Sequence, residues 1–191
     1  MKTAIVVILL NIILLCNVYS EEIKTLSPDG NIEVSFKVSA TGEPLYSISY
    51  KGIRFLNWSK LGLNFKVSGM LNSGLSILSV EKKIIDETFR IYSGKSKYSR
   101  NYCNETKISL EEKNPPSRKM DIYLRAYNDG AAFRYGLPQQ TSISSFVISA
   151  EETYFNFSSD YECWAMKKNI FNHSYEGEYR HYNLRDRKSV V

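Results

Sequence analysis

Hydrophobic and polar residues alternate along most of this chain, in short segments separated by turn residues. Ile32, Val34 and Phe36 alternate with polar residues, directly after a Ser-Pro-Asp-Gly turn at 27–30. A period of two is typical of a β-strand with one face in the core and one in water. The segment after residue 31 is therefore predicted to be a strand.

Similar patterns recur to the end of the chain and predict an all-β protein. Predicted strands cover 45–50, 61–67, 75–83, 88–92, 107–112, 146–148 and 154–157. Asn114-Pro115-Pro116 is a firm break, and no segment has a sustained helical period with capping residues. Many short antiparallel strands with frequent turns indicate a β-sandwich.

The clearest strand pair spans residues 120–138. An Asp129-Gly130 turn suits a tight hairpin, because Gly accepts a positive φ and Asp tolerates it. With these two residues at the turn, one face of the hairpin is wholly apolar. Its predicted pairs are Ala126 with Phe133, Leu124 with Tyr135 and Ile122 with Leu137.

The same register sets Arg125 directly opposite Arg134. Like charges in that position are unfavourable. Either a carboxylate or a ligand lies between them, or a bulge at Gly130 shifts the pairing. We favour a structural acid as the partner.

The first twenty residues resemble a secretory signal peptide. Lys2 is followed by an apolar stretch at 4–15, broken only by Asn11, and by a cleavage site at 18–20. The apolar stretch is short for a membrane span, and an uncleaved anchor is the rival interpretation. The mature chain is expected to begin near Glu21, in a secreted or periplasmic location, with no membrane attachment after cleavage.

Charge and cysteine content narrow the function classes. The formal charge of +5 falls to +4 without Lys2, and the basic residues are interspersed with acids, so nucleic-acid binding is not expected. Cys103 and Cys163 remain after cleavage. In an oxidising compartment they form either one disulfide or two isolated thiols, and the sequence leaves both open.

Chemical motifs are sparse, and the late part of the chain holds the best candidates. The sequence has no nucleophile elbow, phosphate loop, HExxH or CxxC motif. His173 and His181 flank Glu176 and Glu178. These four residues are either a metal cluster or solvated loop residues.

Aromatic residues crowd the same segment. Rings beside carboxylates suit sugar binding, although aromatic residues at this density also build cores. The aromatic residues are Tyr161, Trp164, Tyr175, Tyr179 and Tyr182. Glycosylation sequons begin at Asn57, Asn104, Asn156 and Asn172.

Several segments, taken in order, resemble the N-terminal domain of glycoside hydrolase family 97, a family of α-glucosidases and α-galactosidases. The most specific is Tyr-Asn-Asp-Gly-Ala-Ala-Phe-Arg-Tyr at 127–135. The other matching segments are 27–30, 45–50, 59–63, 86–88, 100–105, 152–157 and 174–179. The resemblance covers nearly all of the mature chain.

The resemblance implies a galactose-mutarotase-like β-super-sandwich beside a catalytic (β/α)8 barrel in the same chain. It also implies an oligosaccharide substrate and a Ca²⁺ ion that takes one glutamate ligand from the N-terminal domain. We place that ligand at Glu176, with Glu178 as the fallback, and expect the remaining ligands to come from the barrel. No catalytic residue carries over, because the barrel carries the catalytic carboxylates.

The ends of the chain suggest the domain boundaries. Residues 1–20 are the signal, 21–185 an incomplete sandwich domain, and 186–191 a probable read-through, because the start of a common sequencing adapter translates to those six residues. A natural charged terminus is the alternative. Two functions are therefore expected: part of a secreted, calcium-dependent α-glycosidase, inactive without its barrel, or a stand-alone carbohydrate-binding sandwich without hydrolase activity.

Overall fold

A computed structural model of the protein describes residues 22–166 and 177–186, and its regular structure is almost entirely β. One short 3-10 helix, Leu184–Asp186, ends the described part. The strands are β1 (Ile23–Leu26), β2 (Ile32–Val38), β3 (Pro44–Tyr50), β4 (Ile53–Lys60), β5 (Leu63–Phe65), β6 (Gly69–Leu71), β7 (Leu75–Arg90), β8 (Tyr98–Glu112), β9 (Lys119–Ala126), β10 (Ala131–Gly136), β11 (Ile148–Glu151), β12 (Glu162–Ala165) and β13 (Arg180–Asn183).

Two four-stranded antiparallel sheets form the sandwich. The front sheet has the order β1-β2-β3-β4, and the back sheet has the order β10-β9-β8-β7. A three-stranded side sheet, β11-β5-β6, and a terminal hairpin of β12 and β13 complete the described structure. The predicted all-β sandwich is thereby confirmed.

The core lies between the facing sides of the two large sheets. Phe36 and Tyr46 of the front sheet and Ile108 and Ile122 of the back sheet are all at most 1% exposed. They belong to one apolar cluster that also takes in the side sheet. The alternation seen in the sequence places these residues on the inner faces, where their burial supplies the main stabilisation.

Polar side chains join the layers where the apolar contacts end. The hydroxyls of Thr25 and Thr106 lie 2.6 Å apart in a buried contact between β1 and β8. Tyr135 accepts a hydrogen bond from the backbone of Gly62 at 3.0 Å, which ties the back sheet to the start of the side sheet. Burial raises the pKa of the Tyr135 hydroxyl, so it stays protonated in this position.

The register predicted for the hairpin at 120–138 is wrong by two residues. Leu124 pairs with Phe133, and Tyr135 pairs with Ile122. Neither Asp129 nor Gly130 has a positive φ, and the loop runs from Tyr127 to Gly130, with the Tyr127 amide donating to the Gly130 carbonyl at 2.8 Å. A shift of two keeps each side chain on its face, so the apolar face is as predicted.

Several strand predictions differ from the structure, among them 146–148, because β11 begins only at Ile148. The segments 75–83 and 88–92 belong to one long strand, β7, because β8 pairs with it along its whole length. Strand β4 has no clear alternation in sequence, because its pairing with β3 contains two register shifts. Residues 154–157 run beside β4 with a single bridge between Phe157 and Leu56 rather than as a strand.

The strand predicted over 61–67 is shorter in the structure. Strand β5 ends at Phe65, and Val67 beyond it is 94% exposed.

Across residues 22–166 and 177–186, no helix has the length and apolar character needed to cross a membrane.

Candidate functional site

The terminal hairpin presents the aromatic residues that the sequence singled out. Trp164 pairs with His181 across the hairpin, and their rings lie 5.4 Å apart. The Trp164 side chain is 69% exposed, and Tyr179, just before β13, is 64% exposed. These rings are therefore surface residues with open faces, which is the arrangement that lets a sugar ring stack.

A cluster of three rings attaches this hairpin to the edge of the front sheet. Phe55 of β4 lies 4.8 Å from Tyr161 and 5.5 Å from Phe157, measured between ring centroids. The Leu184 amide donates to the Tyr161 carbonyl at 3.0 Å. Tyr161, one of the predicted sugar-binding residues, therefore packs in this cluster and supports the hairpin.

Only two of the four residues of the predicted metal cluster, Glu178 and His181, lie in the described part of the chain. His173 and Glu176 lie outside the described residues, as does Tyr175. Glu178 is exposed and lies two residues before β13 begins. The Nε2 atom of His181 lies 3.2 Å from Oε2 of Glu162. Among residues 22–166 and 177–186, no three His, Cys, Asp or Glu side chains come together as a metal site.

The two cysteines are separate thiols. Cys103 is buried in β8, and Cys163 is half-buried in β12. Of the two alternatives left open by the sequence, the structure shows the isolated thiols.

Three of the four sequons lie in the described residues. Asn57 is exposed, whereas the amides of Asn104 and Asn156 donate to the carbonyls of Leu26 and Trp58 at 2.7 and 2.9 Å. Asn172 lies outside the described residues. Glycosylation at these positions stays a prediction.

A second polar site lies on the outer face of the back sheet, around Arg125. Its Nε donates to the Glu105 carboxylate at 2.6 Å, and Lys83 contacts the same carboxylate at 3.0 Å. Burial alone would raise the pKa of Glu105, but the hydrogen bonds from Arg125 and Lys83 outweigh it and hold that pKa below its usual value. Arg125 thus has an acid partner, but Glu105 lies across from it on β8, whereas the prediction placed the acid between Arg125 and Arg134.

Arg134 has a different environment. It lies opposite Tyr123 rather than Arg125, and its guanidinium carbon is 4.3 Å from the centroid of the Tyr123 ring. Sequence reasoning did not assign Glu105 to Arg125, because the pairing of β8 with β9 is not visible locally. An acid within the polar-outward alternation of β8 was the available signal, but β8 also contains Glu111 and Glu112.

Comparisons with known proteins agree with this fold. A family model described as "Glycosyl-hydrolase 97 N-terminal" matches residues 25–190. A glycoside hydrolase family 97 enzyme from Pseudoalteromonas sp. strain K8, solved with panose and with acarbose, is 25% identical with a TM-score of 0.78. The match covers 86% of this chain and 25% of that one.

A β-arabinopyranosidase structure shares the fold at 24% identity and a TM-score of 0.70. That match covers 84% of this chain and 26% of the arabinopyranosidase. The chain therefore spans about a quarter of the length of the solved proteins that it matches.

Proposed function

The chain belongs to glycoside hydrolase family 97, as its N-terminal domain, and from that premise we propose that it supports the active site of a secreted, calcium-dependent α-glycosidase acting on α-glucosides or α-galactosides. The observation that carries the proposal is the family match over residues 25–190, within a chain one quarter as long as the solved family enzyme. The catalytic carboxylates would then come from a (β/α)8 barrel in the full-length enzyme.

The contribution of this domain to substrate binding would come from the terminal hairpin. Trp164 and Tyr179 offer exposed ring faces, and Glu178 lies next to Tyr179 in the chain. Sugar C–H faces pack on aromatic rings while carboxylates accept hydrogen bonds from hydroxyls. The ring cluster of Phe55, Phe157 and Tyr161 would hold the hairpin in place while substrate binds.

Calcium would be held through Glu176, with Glu178 as the fallback ligand. Calcium takes about six to eight oxygen ligands. Glu176 itself lies outside the described residues, and the remaining ligands would come from the barrel. When bound, the ion would stabilise charge on a substrate oxygen.

The test is the activity of the full-length enzyme on 4-nitrophenyl α-glucoside and α-galactoside, with and without chelator. We expect hydrolysis of one substrate, loss of activity on chelation, and recovery on adding Ca²⁺. Glu176→Ala should lower both activity and calcium content, whereas Glu178→Ala should preserve the calcium content. Retention of calcium and activity in Glu176→Ala would show that the ligand assignment is wrong.

Sequencing the 3′ end of the transcript distinguishes the enzyme from a stand-alone binding domain. We expect an open reading frame that continues into barrel strands rich in acidic residues. A stop codon shortly after residue 185 would instead favour a carbohydrate-binding sandwich without hydrolase activity. In that case calorimetry with maltose and with a galactoside would show whether the sandwich binds sugar.

A further inference from the structure

A small cavity opens on the outer face of the back sheet, between β9 and β10. Its volume is about 160 Å³. The lining residues are Tyr123, Arg125, Tyr127, Ala132, Phe133 and Arg134. Pockets for larger organic ligands run from about 300 to 1,000 Å³, so this cavity suits one small ligand or one functional group.

The cavity is electropositive because its cations outnumber the acids beside them. Glu105, whose side chain is 2% exposed, contacts both Arg125 and Lys83. Within the described part of the chain, no carboxylate lies within ion-pair distance of Arg134. Two arginines, Arg125 and Arg134, therefore line the cavity, and the nearby Glu105 carboxylate is already shared between Arg125 and Lys83.

The next acid on this face is already engaged. Asp121 accepts a hydrogen bond from Ser109 at 2.7 Å and lies 3.6 Å from the ammonium of Lys107. The cavity therefore has cationic walls and no free acid of its own among the described residues.

An arrangement elsewhere in the same sheet shows what Arg134 lacks. The guanidinium of Arg100 lies over the ring of Tyr102 at 4.4 Å, and it also binds Asp86 through two hydrogen bonds of 2.7 and 2.8 Å. Arg134 makes the same contact with Tyr123 at 4.3 Å, but a cavity stands beside it instead of a carboxylate. A stacked guanidinium keeps its fork of donors free for bidentate pairing.

We propose that this cavity binds the carboxylate group of a small acidic ligand, with Arg134 as the main partner and Arg125 as the second. The hydroxyl of Tyr127 accepts a hydrogen bond from Arg125 Nη1 at 3.5 Å and donates to Asn101 Oδ1 at 3.1 Å, which holds the Arg125 guanidinium beside the cavity. The ring of Tyr123 and the methyl group of Ala132 provide apolar walls for the rest of a small molecule, and a uronic acid has the required combination of carboxylate and pyranose ring.

The test is a titration of the purified chain with sodium glucuronate, sodium acetate and glucose, followed by NMR. We expect glucuronate and acetate to bind with a Kd on the order of millimolar, and glucose not to bind at this cavity. Equal affinities for acetate and glucuronate would support a carboxylate site in which the sugar ring plays no part. Glucuronate binding no tighter than glucose binding would overturn the proposal.

Variants connect the binding to this cavity. Arg134→Met should weaken glucuronate binding about tenfold or more, because a charge-assisted hydrogen-bond partner is lost. Arg100→Met, which removes another stacked arginine of the same sheet, should leave binding unchanged. Arg134→Lys keeps the charge without the fork and should bind with intermediate affinity. Binding that is unaffected in a folded Arg134→Met protein would exclude the site, and thermal unfolding checks that each variant is folded.

Discussion

Glu105 lies on the outer face of the back sheet, yet its carboxylate is almost completely shielded from water. Replacing it by Gln would leave Arg125 and Lys83 without their common counter-charge. Because hydrogen bonds to charged groups contribute more than neutral ones, we expect Glu105→Gln to lower the free energy of unfolding by about 1–3 kcal/mol. Urea denaturation measures this, with the exposed Asp86→Asn as a control that should cost much less.

The same carboxylate predicts how stability depends on pH. The folded-state pKa of Glu105 is lowered, so its contribution is present above the unfolded pKa of about 4.5 and is lost as the pH falls through the folded pKa. The wild-type midpoint of thermal unfolding should therefore fall more steeply below pH 4.5 than that of Glu105→Gln. Identical pH profiles for the two proteins would contradict this role.

At this scale the sequence predicted the kinds of contact better than the partners. An acid was expected between Arg125 and Arg134, whereas Glu105 binds Arg125 alone of the two, from the other neighbouring strand, β8. The predicted opposition of Arg125 and Arg134 was wrong, because a two-residue turn was assumed where the loop has four residues. A register shift of two residues leaves every side chain on the same face. The alternation therefore predicts the face of a residue but not its partner on the adjacent strand.

The turn between β2 and β3 shows how one element is held against another. Gly42 has a φ of 80°, and its carbonyl accepts a hydrogen bond from the Leu75 amide at 3.0 Å, where β7 begins. A Cβ on Gly42 would stand 2.4 Å from that amide nitrogen. The backbone of β7 therefore fits against this turn only if residue 42 has no side chain.

Gly42→Ala should separate this turn from β7 and destabilise the domain. Gly30→Ala is the matched control, because Gly30 has a φ of 73° and open space around it. The positive φ alone should cost each variant about 1–2 kcal/mol. The clash should cost Gly42→Ala roughly 1–3 kcal/mol more, measured by chemical denaturation. An equal decrease in the free energy of unfolding of the two variants would contradict this, because it would show that the turn moves away from β7 at no cost.

Elements with regular pairing were the ones that could be predicted. Strand β2 appears as an uninterrupted alternation because its partner β3 pairs with it without a shift. Strand β4 was missed because its register shifts twice, which removes the period of two from its burial. The gap predicted within β7 does not exist, because pairing with β8 holds Asp86 and Glu87, residues of weak strand preference, in the sheet.

For the whole molecule, the number and spacing of the strands predicted the sandwich. The sequence did not predict the joints, that is, the polar contacts that connect one sheet to another. Arg118 is such a joint. It is 5% exposed, and it donates to the carbonyls of Ser68 and Met70 at 2.6 and 2.7 Å and to the Glu112 carboxylate. Its partners lie 6, 48 and 50 residues away, so no local pattern could identify them.

Arg118→Met should therefore loosen the side sheet from the back sheet. The change leaves the half-buried Glu112 carboxylate and two carbonyls without their donor, and an acceptor left unsatisfied away from water costs about 1–3 kcal/mol. Arg118→Lys should recover only part of this, because an ammonium cannot bind three acceptors in the plane of a guanidinium. Lys119→Met, at the neighbouring half-exposed position, should change stability little.

Hydrogen exchange shows whether Arg118 connects the two sheets or only stabilises the domain as a whole. In Arg118→Met, amides of β5 and β6 should lose protection before those of β8 and β9, and a uniform loss across all four strands would contradict the role of Arg118 as a joint.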